Sequence, residues 1–288
     1  MTDHTDNDDV TSLAGRLVAE VAGYGRSLVA FSGGVDSSVA LAAAVRALGP
    51  GNTAAVTAVS PSLAAAELAA ARAFCAALGV EHHTPATGEL DVAGYRRNDP
   101  RRCYFCKSVL LDTARELAAS HGYAMVVTGT NASDVTAGFR PGIRAAAERG
   151  ARTPLADLGL TKPAVRAIAR LWQLSTWDKP AAPCLASRVA YGITVTPARL
   201  ARIERAEAAV RARLHGRGHA VRDLRVRDLG ETVRLELDAE AVDPARRDPG
   251  VLSTIRAAGF GDVAVEVQAF RSGSLNQLLD DPRRWRDA

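Results

Sequence analysis

Residues 32–38 read Ser32, Gly33, Gly34, Val35, Asp36, Ser37 and Ser38 (SGGVDSS). They stand between the short apolar run SLVAFS at 27–32 and an alanine-rich stretch, 35–48, that Gly49 and Pro50 stop. A strand, a turn of glycine and serine, and a helix in that order can hold phosphate. The two glycines let the backbone turn tightly and approach phosphate oxygens, and the N–H groups at the helix start supply positive potential. Ser32, Ser37 and Ser38 add hydroxyl donors, and Asp36 can hold Mg2+ between phosphates. A Walker loop would carry a lysine before its last Ser or Thr to serve γ-phosphoryl transfer, and none stands here.

Working outward, a helix is expected over 12–23 and a second strand over 53–60 (TAAVTAVS). Pro61 then opens a helix that runs to about residue 78, where Gly79 stops it. A third strand over 80–84, a helix over about 104–121 and a strand over 125–130 continue the alternation. This pattern predicts an α/β fold with a Rossmann-like parallel sheet, whose ligands sit outside the carboxyl ends of the strands. Gly129, Thr130 and Asn131 (TGTN) fall there too, so they are expected to share a pocket with SGGVDSS, and Ser60 can flank the nucleotide. A strand-end turn and a helix cap are alternative roles for these residues. From Thr194 the pattern changes to a charged helix (197–215), strands at 223–227 and 232–238, a helix near 250–258 and a strand near 263–269. The expectation is a first domain over 1–193 and a smaller C-terminal α+β domain over 194–288, of ferredoxin-like type.

Cys103 and Cys106 stand close together in RRCYFCK, with Cys184 far downstream in KPAAPCLASR. Three thiolates can hold zinc with a fourth ligand, or hold three irons of a [4Fe-4S] cluster and leave the fourth open. No second CxxC and no HxxxH follows to close a zinc site, although a structural zinc or a simple dithiol stays open for the pair. Arg101, Arg102, Lys107, Lys179 and Arg188 would favour thiolates if they fold nearby. Cys75 (AFCAALG) reads as core, and the adjacent His82 and His83 point to opposite faces of a strand. Arg225 and Arg227, two apart on a strand, share a face that suits a phosphate or carboxylate, or simply water.

The 36 Lys and Arg against 32 Asp and Glu leave a net charge of +4, far from the dense basic stripes that make nucleic acid the default partner. No apolar run approaches the roughly 18 residues of a membrane span. The acidic, polar start lacks a signal-peptide pattern, and a cytoplasmic location is expected.

SGGVDSS resembles the PP-loop of ATP pyrophosphatases, which grips the departing pyrophosphate while a nucleophile attacks the α-phosphorus. The whole set of motifs is similar to the LarE family of ATP-dependent sulfur transferases: SGGVDSS, RCYFCK, GTN with Arg140, Pro141 and Gly142, TPLADLGLTK, WDKPAAPCLASR with Tyr191 and Gly192, and GSLN at Ser274. The resemblance implies work on the nickel-pincer nucleotide of lactate racemase. Carboxylates of pyridinium-3,5-biscarboxylic acid mononucleotide would be adenylylated by ATP with Mg2+ and converted to thiocarboxylates. Cys184 matches the sulfur-donor position, with Ser187 and Arg188 beside it. Cys103, Cys106 and Cys184 together suggest the family members that carry a [4Fe-4S] cluster, rather than those that sacrifice one cysteine. Glu207, Arg225 and Arg227 match substrate-phosphate or metal-site positions, in a C-terminal domain that binds substrate and supports oligomerisation. Partners would be the small-molecule nucleotide and the other maturation proteins of the pathway, and the assembly a homo-oligomer such as a hexamer. After TGTN, where the family often carries several acidic residues, Ser133 to Ala137 supply only Asp134, which puts Mg2+ binding there in doubt. A PP-loop tRNA thiolase can also combine CxxC with a distant cysteine, but it should carry denser basic surface.

Overall fold

The protein is described by a computed structural model over residues 3–136, 141–271 and 275. Its first half runs α1 (Asp3–Ala22), β1 (Ser27–Ala30), α2 (Val35–Leu48), β2 (Thr53–Val56), α3 (Ala65–Leu78), β3 (Glu81–His83), α4 (Ala93–Arg96), α5 (Arg102–His121) and β4 (Met125–Thr128). There follow α6 (Ala132–Thr136), α7 (Pro141–Glu148), α8 (Pro154–Asp157), α9 (Lys162–Leu171), α10 (Pro197–Gly216), β5 (Leu224–Asp228), β6 (Thr232–Leu237), α11 (Ala239–Arg247), α12 (Pro249–Ile255) and β7 (Ala264–Ala269). The described residues of Met1–Ser60, Ala65–Glu89 and Cys103–Ala181 form one compact unit. Those of Pro61–Ala64, Leu90–Arg102 and Ala182–Ala288 form a second.

In the first unit a parallel sheet has the order β3-β2-β1-β4, with Ser27 paired to both Thr53 and Met125. β1 and β2 are buried along their whole length, because helices cover both faces and every position must then be small or apolar. Leu17, Val21, Val39, Leu41, Val165 and Ile168 fill one face, and Ala114, Ala118 and Tyr123 pack on Leu28, Ala30, Ala54 and Val56 on the other. β1 is followed by β2 on one side and flanked by β4 on the other, so the strand order reverses at its carboxyl end. Such a switch point opens a crevice, and residues 32–38 and 129–131 stand at it.

The helix expected from Pro61 begins instead at Ala65. Pro61–Ala64 belongs to the second unit, where the Ser62 carbonyl accepts the N–H of Leu185 at 2.8 Å. Tertiary pairing therefore overrides the preference of proline for a helix start.

The second unit has a three-stranded sheet among the described residues, with β5 and β6 antiparallel and β6 and β7 parallel through the crossover of α11 and α12. That mixed pairing is not the antiparallel ferredoxin-like sheet expected from the sequence. Leu200, Ile203, Val210 and Leu214 of α10 are fully buried, and α10 packs on β5. At the end of β5, the buried Asp228 accepts from Arg199 at 2.7 Å and Arg202 at 2.5 Å. Burial alone would raise the pKa of this carboxyl, but the two guanidiniums and the N–H of Gly230 bring it below the ordinary carboxylate range.

Candidate active site

In the first unit the chain leaves β1 at Ala30 and turns through Ser32, Gly33 and Gly34 into α2. Gly33 has φ +71° and Gly34, the N-cap of α2, has φ −85°. Opposite signs of φ in succession curl backbone N–H groups toward one point, and the first of these conformations favours glycine. Val35 is buried at the first turn of α2 and anchors it. The Ser37 hydroxyl donates to the Gly34 carbonyl at 3.0 Å, accepts the Ser32 N–H at 3.2 Å and lies 3.1 Å from Ser32 Oγ. Ser38 Oγ donates to the same carbonyl at 2.9 Å. The serines thus brace the turn, while the helix N-terminus remains the source of anion affinity.

β4 ends against this turn. A Cβ placed on Gly129 would lie 2.6 Å from Ser37 N and 2.7 Å from Ser37 Cα, so only glycine lets the end of β4 meet the first turn of α2. Thr130 Oγ1 lies 3.3 Å from Thr128 Oγ1, and buried Asn131 donates through Nδ2 to Asp36 Oδ1 at 3.1 Å. The other oxygen of Asp36 accepts from Lys162 Nζ at the start of α9. Asp36, the residue expected from the sequence to hold Mg2+, thus has a neutral donor on one side and a cation on the other. Ser60 donates to buried Glu89, which also accepts from Thr87 at 2.9 Å.

Cys103 and Cys106 lie near the N-terminus of α5, three residues apart, so their side chains leave the same side of the helix. Cys103 is exposed and Cys106 half-buried, and none of the four cysteines is in a disulfide. Next to them, burial pulls the pKa of Lys107 down while the charge of Cys106 opposes it. Cys75 is buried, and burial raises its thiol to about 12, which suits core packing. As a donor set, two thiols on one helical face suit a soft metal or an iron-sulfur group. Among the described residues no three Cys, His, Asp or Glu side chains come together as a metal cradle.

In the second unit Cys184 caps a short 3-10 turn, Leu185–Arg188. The buried Arg188 grips Glu207 of α10 with both ends of its guanidinium, at 2.9 and 3.1 Å. Its Nη1 donates to the carbonyls of Pro183 and Cys184 and to Ser187 Oγ. Glu207 also accepts the Val226 N–H at 3.0 Å, so turn, helix and strand meet on one carboxylate. Arg227 forms a buried pair with Glu236 at 2.9 Å and donates to the Ser187 carbonyl at 3.0 Å. Arg225, 5% exposed, lies over the Phe270 ring at 5.3 Å and 3.6 Å from Asp223. Burial lowers the pKa of Arg225, and the nearby charge of Arg188 and Arg227 adds to the effect. The solvated arginine face considered for these two residues is therefore not what forms.

A family profile described as NAD synthase matches residues 12–140. The chain is 31% identical to a pyridinium-3,5-bisthiocarboxylic acid mononucleotide synthase of Lactiplantibacillus plantarum, over 91% of this chain and 93% of that one. It belongs to that synthase family, the LarE family. It is accordingly an ATP-using sulfurtransferase of the PP-loop kind. The chain is also 42% identical to an uncharacterized protein of Synechocystis, over 88% of this chain and 93% of the relative. An uncharacterized protein of Methanocaldococcus jannaschii is 27% identical over 61% of this chain and 66% of its own length.

Several residues brace these segments through partners far away in the sequence. Lys162 reaches Asp36 across 126 positions, and Lys179 donates to the Gly33 carbonyl across 146. Lys179 is committed to the PP-loop and to Glu67. In the second unit, buried Asn98 donates to the carbonyls of Val189, Ala190 and Ile193, and Arg102 to that of Ala186 at 2.8 Å. These contacts hold the segment that follows Cys184. Asn98 has φ +56°, which asparagine tolerates better than most residues and which is the one local hint of its special place.

Proposed function

We propose that this protein adenylylates the carboxylates of pyridinium-3,5-biscarboxylic acid mononucleotide and converts them to thiocarboxylates, in biosynthesis of the nickel-pincer nucleotide. The observation that carries the reading is the PP-loop turn whose Asp36 is met by Asn131 from the neighbouring strand end. The acceptor is taken from the named relative, which covers nearly the whole chain.

In this reading Gly33, Gly34 and the start of α2 hold the β- and γ-phosphates of ATP, with Ser32, Ser37, Ser38, Ser60, Gly129 and Thr130 around the nucleotide. Asp36 holds Mg2+. A substrate carboxylate oxygen attacks the α-phosphorus, the bond to the bridging oxygen breaks, and pyrophosphate leaves held by the Gly33–Gly34 turn and the start of α2; Mg2+, when bound, would offset its charge. The resulting acyl adenylate is open to a sulfur nucleophile, which expels AMP. Glu207, Arg225 and Arg227 position the substrate phosphate, and Ser187 and Arg188 hold the donor turn. Arg188, Arg225 and Arg227 each already meet a carboxylate, Glu207, Asp223 and Glu236, so a substrate phosphate would join these existing pairs.

Cys103, Cys106 and Cys184 would hold a [4Fe-4S] cluster, which would supply sulfide. The soft thiolate chemistry of the set supports this assignment. A sacrificial Cys184 is the second reading: a half-buried thiol at the N-cap of the Leu185–Arg188 turn could give up its own sulfur without a cluster. The protein would act in the cytoplasm as a homo-oligomer, beside the other maturation proteins of the pathway.

The test is an anaerobic incubation of the wild-type protein and of Cys184→Ala with ATP, Mg2+ and the biscarboxylate nucleotide. AMP and thiocarboxylate from the wild type, with no thiocarboxylate from the variant, is the expected result. No AMP from the wild type would refute the proposal. Iron and sulfide that follow the three cysteines support the cluster, whereas conversion of Cys184 to dehydroalanine supports the sacrificial reading.

A further inference from the structure

The PP-loop has a brace that the nucleotide chemistry alone does not call for. Lys179 Nζ donates to the Gly33 carbonyl at 3.0 Å and pairs with Glu67 of α3 at 2.6 Å. The segment that carries Lys179 is itself held by Arg166 of α9, which donates to the carbonyls of Trp177 at 2.8 Å and Lys179 at 3.0 Å. All of these residues belong to the first unit.

The Gly33 carbonyl and the Gly34 N–H are two ends of one planar trans peptide, so they point in opposite directions. Fixing the carbonyl on Lys179 fixes the N–H at the N-cap of α2. That N–H has only a long 3.5 Å bond to Ser32 Oγ, and an anionic oxygen is a better acceptor. Gly33, at φ +71°, lacks the side-chain sterics that would otherwise hold this peptide in place.

We infer that Lys179 is a positioning residue for pyrophosphate binding: braced by Glu67, it aims the Gly34 N–H at the β- and γ-phosphates of ATP. This rests on the ATP-using role of the PP-loop and not on the sulfur step or the identity of the acceptor. A lysine that instead bound phosphate directly would be restrained by Glu67, and removing that carboxylate would release it. The two roles therefore predict opposite signs for one substitution.

Binding of ATP with Mg2+, of pyrophosphate and of AMP is measured by titration calorimetry on the full chain for the wild type, Lys179→Met and Glu67→Ala. Thermal melts of each variant check folding. Both variants are expected to bind ATP and pyrophosphate more weakly, on the order of tenfold, the scale of one hydrogen bond to a charged group. AMP, which lacks the outer phosphates, should bind as in the wild type. Tighter pyrophosphate binding by Glu67→Ala, an equal loss for AMP, or no change in either variant would overturn the inference. A wild-type chain that binds no ATP would instead remove the nucleotide role on which it rests.

Discussion

Gly129 has no room for a side chain, because a Cβ there would fall 2.6 Å from the Ser37 nitrogen. Gly129→Ala should cost about 1–3 kcal/mol, the usual range for overpacking, read as a shift of the urea midpoint, and ATP affinity should fall with it. An unchanged midpoint would mean that the strand end can move away. His82 makes a second prediction at this scale. Burial lowers its pKa, with help from the charge of Arg72, while its Nε2 lies 2.8 Å from Thr57 Oγ1. A histidine whose folded pKa lies below its unfolded value takes up a proton more readily when unfolded. Its contribution is complete above about pH 6.5 and is lost as the pH falls through the folded value. Urea midpoints at neutral and acidic pH should converge in His82→Gln relative to the wild type.

Among the elements, the join of α10 to β5 rests on the buried Asp228 between Arg199 and Arg202. Removing one partner of such a cluster leaves charge without compensation, so Asp228→Ala should cost about 3–5 kcal/mol in denaturant unfolding. The elements also show what the sequence could disclose. β1, the PP-loop and α2 were legible because they are contiguous, and the apolar run, glycines and helix follow one another within a few positions. Strand pairing in the second unit was not, since an apolar pattern marks a strand but says nothing of the direction of its neighbour. Lys162 and Lys179 stand in motifs that the sequence displays, but their partners do not show there, because they lie more than a hundred positions away. Arg225 and Arg227 were placed on one face correctly, but alternation alone could not show that Glu236 and Asp223 let that face be buried.

For the whole molecule, the fold brings the ends of β1 and β4 together, and ligand there should stabilise the first unit. ATP with Mg2+ at about a hundred times its Kd should add about 2.7 kcal/mol by mass action, seen as a raised melting temperature. Chelation of Mg2+ should remove most of that gain, because Asp36 would then repel the phosphates. The attack of a carboxylate on the α-phosphorus is the central claim, and the carboxylate oxygen is its tracer. With a substrate labelled by heavy oxygen in its carboxylates, mass spectrometry should find the label in the phosphate of released AMP, one atom for each oxygen replaced by sulfur. Label in pyrophosphate or inorganic phosphate, or AMP released without it, would contradict the account.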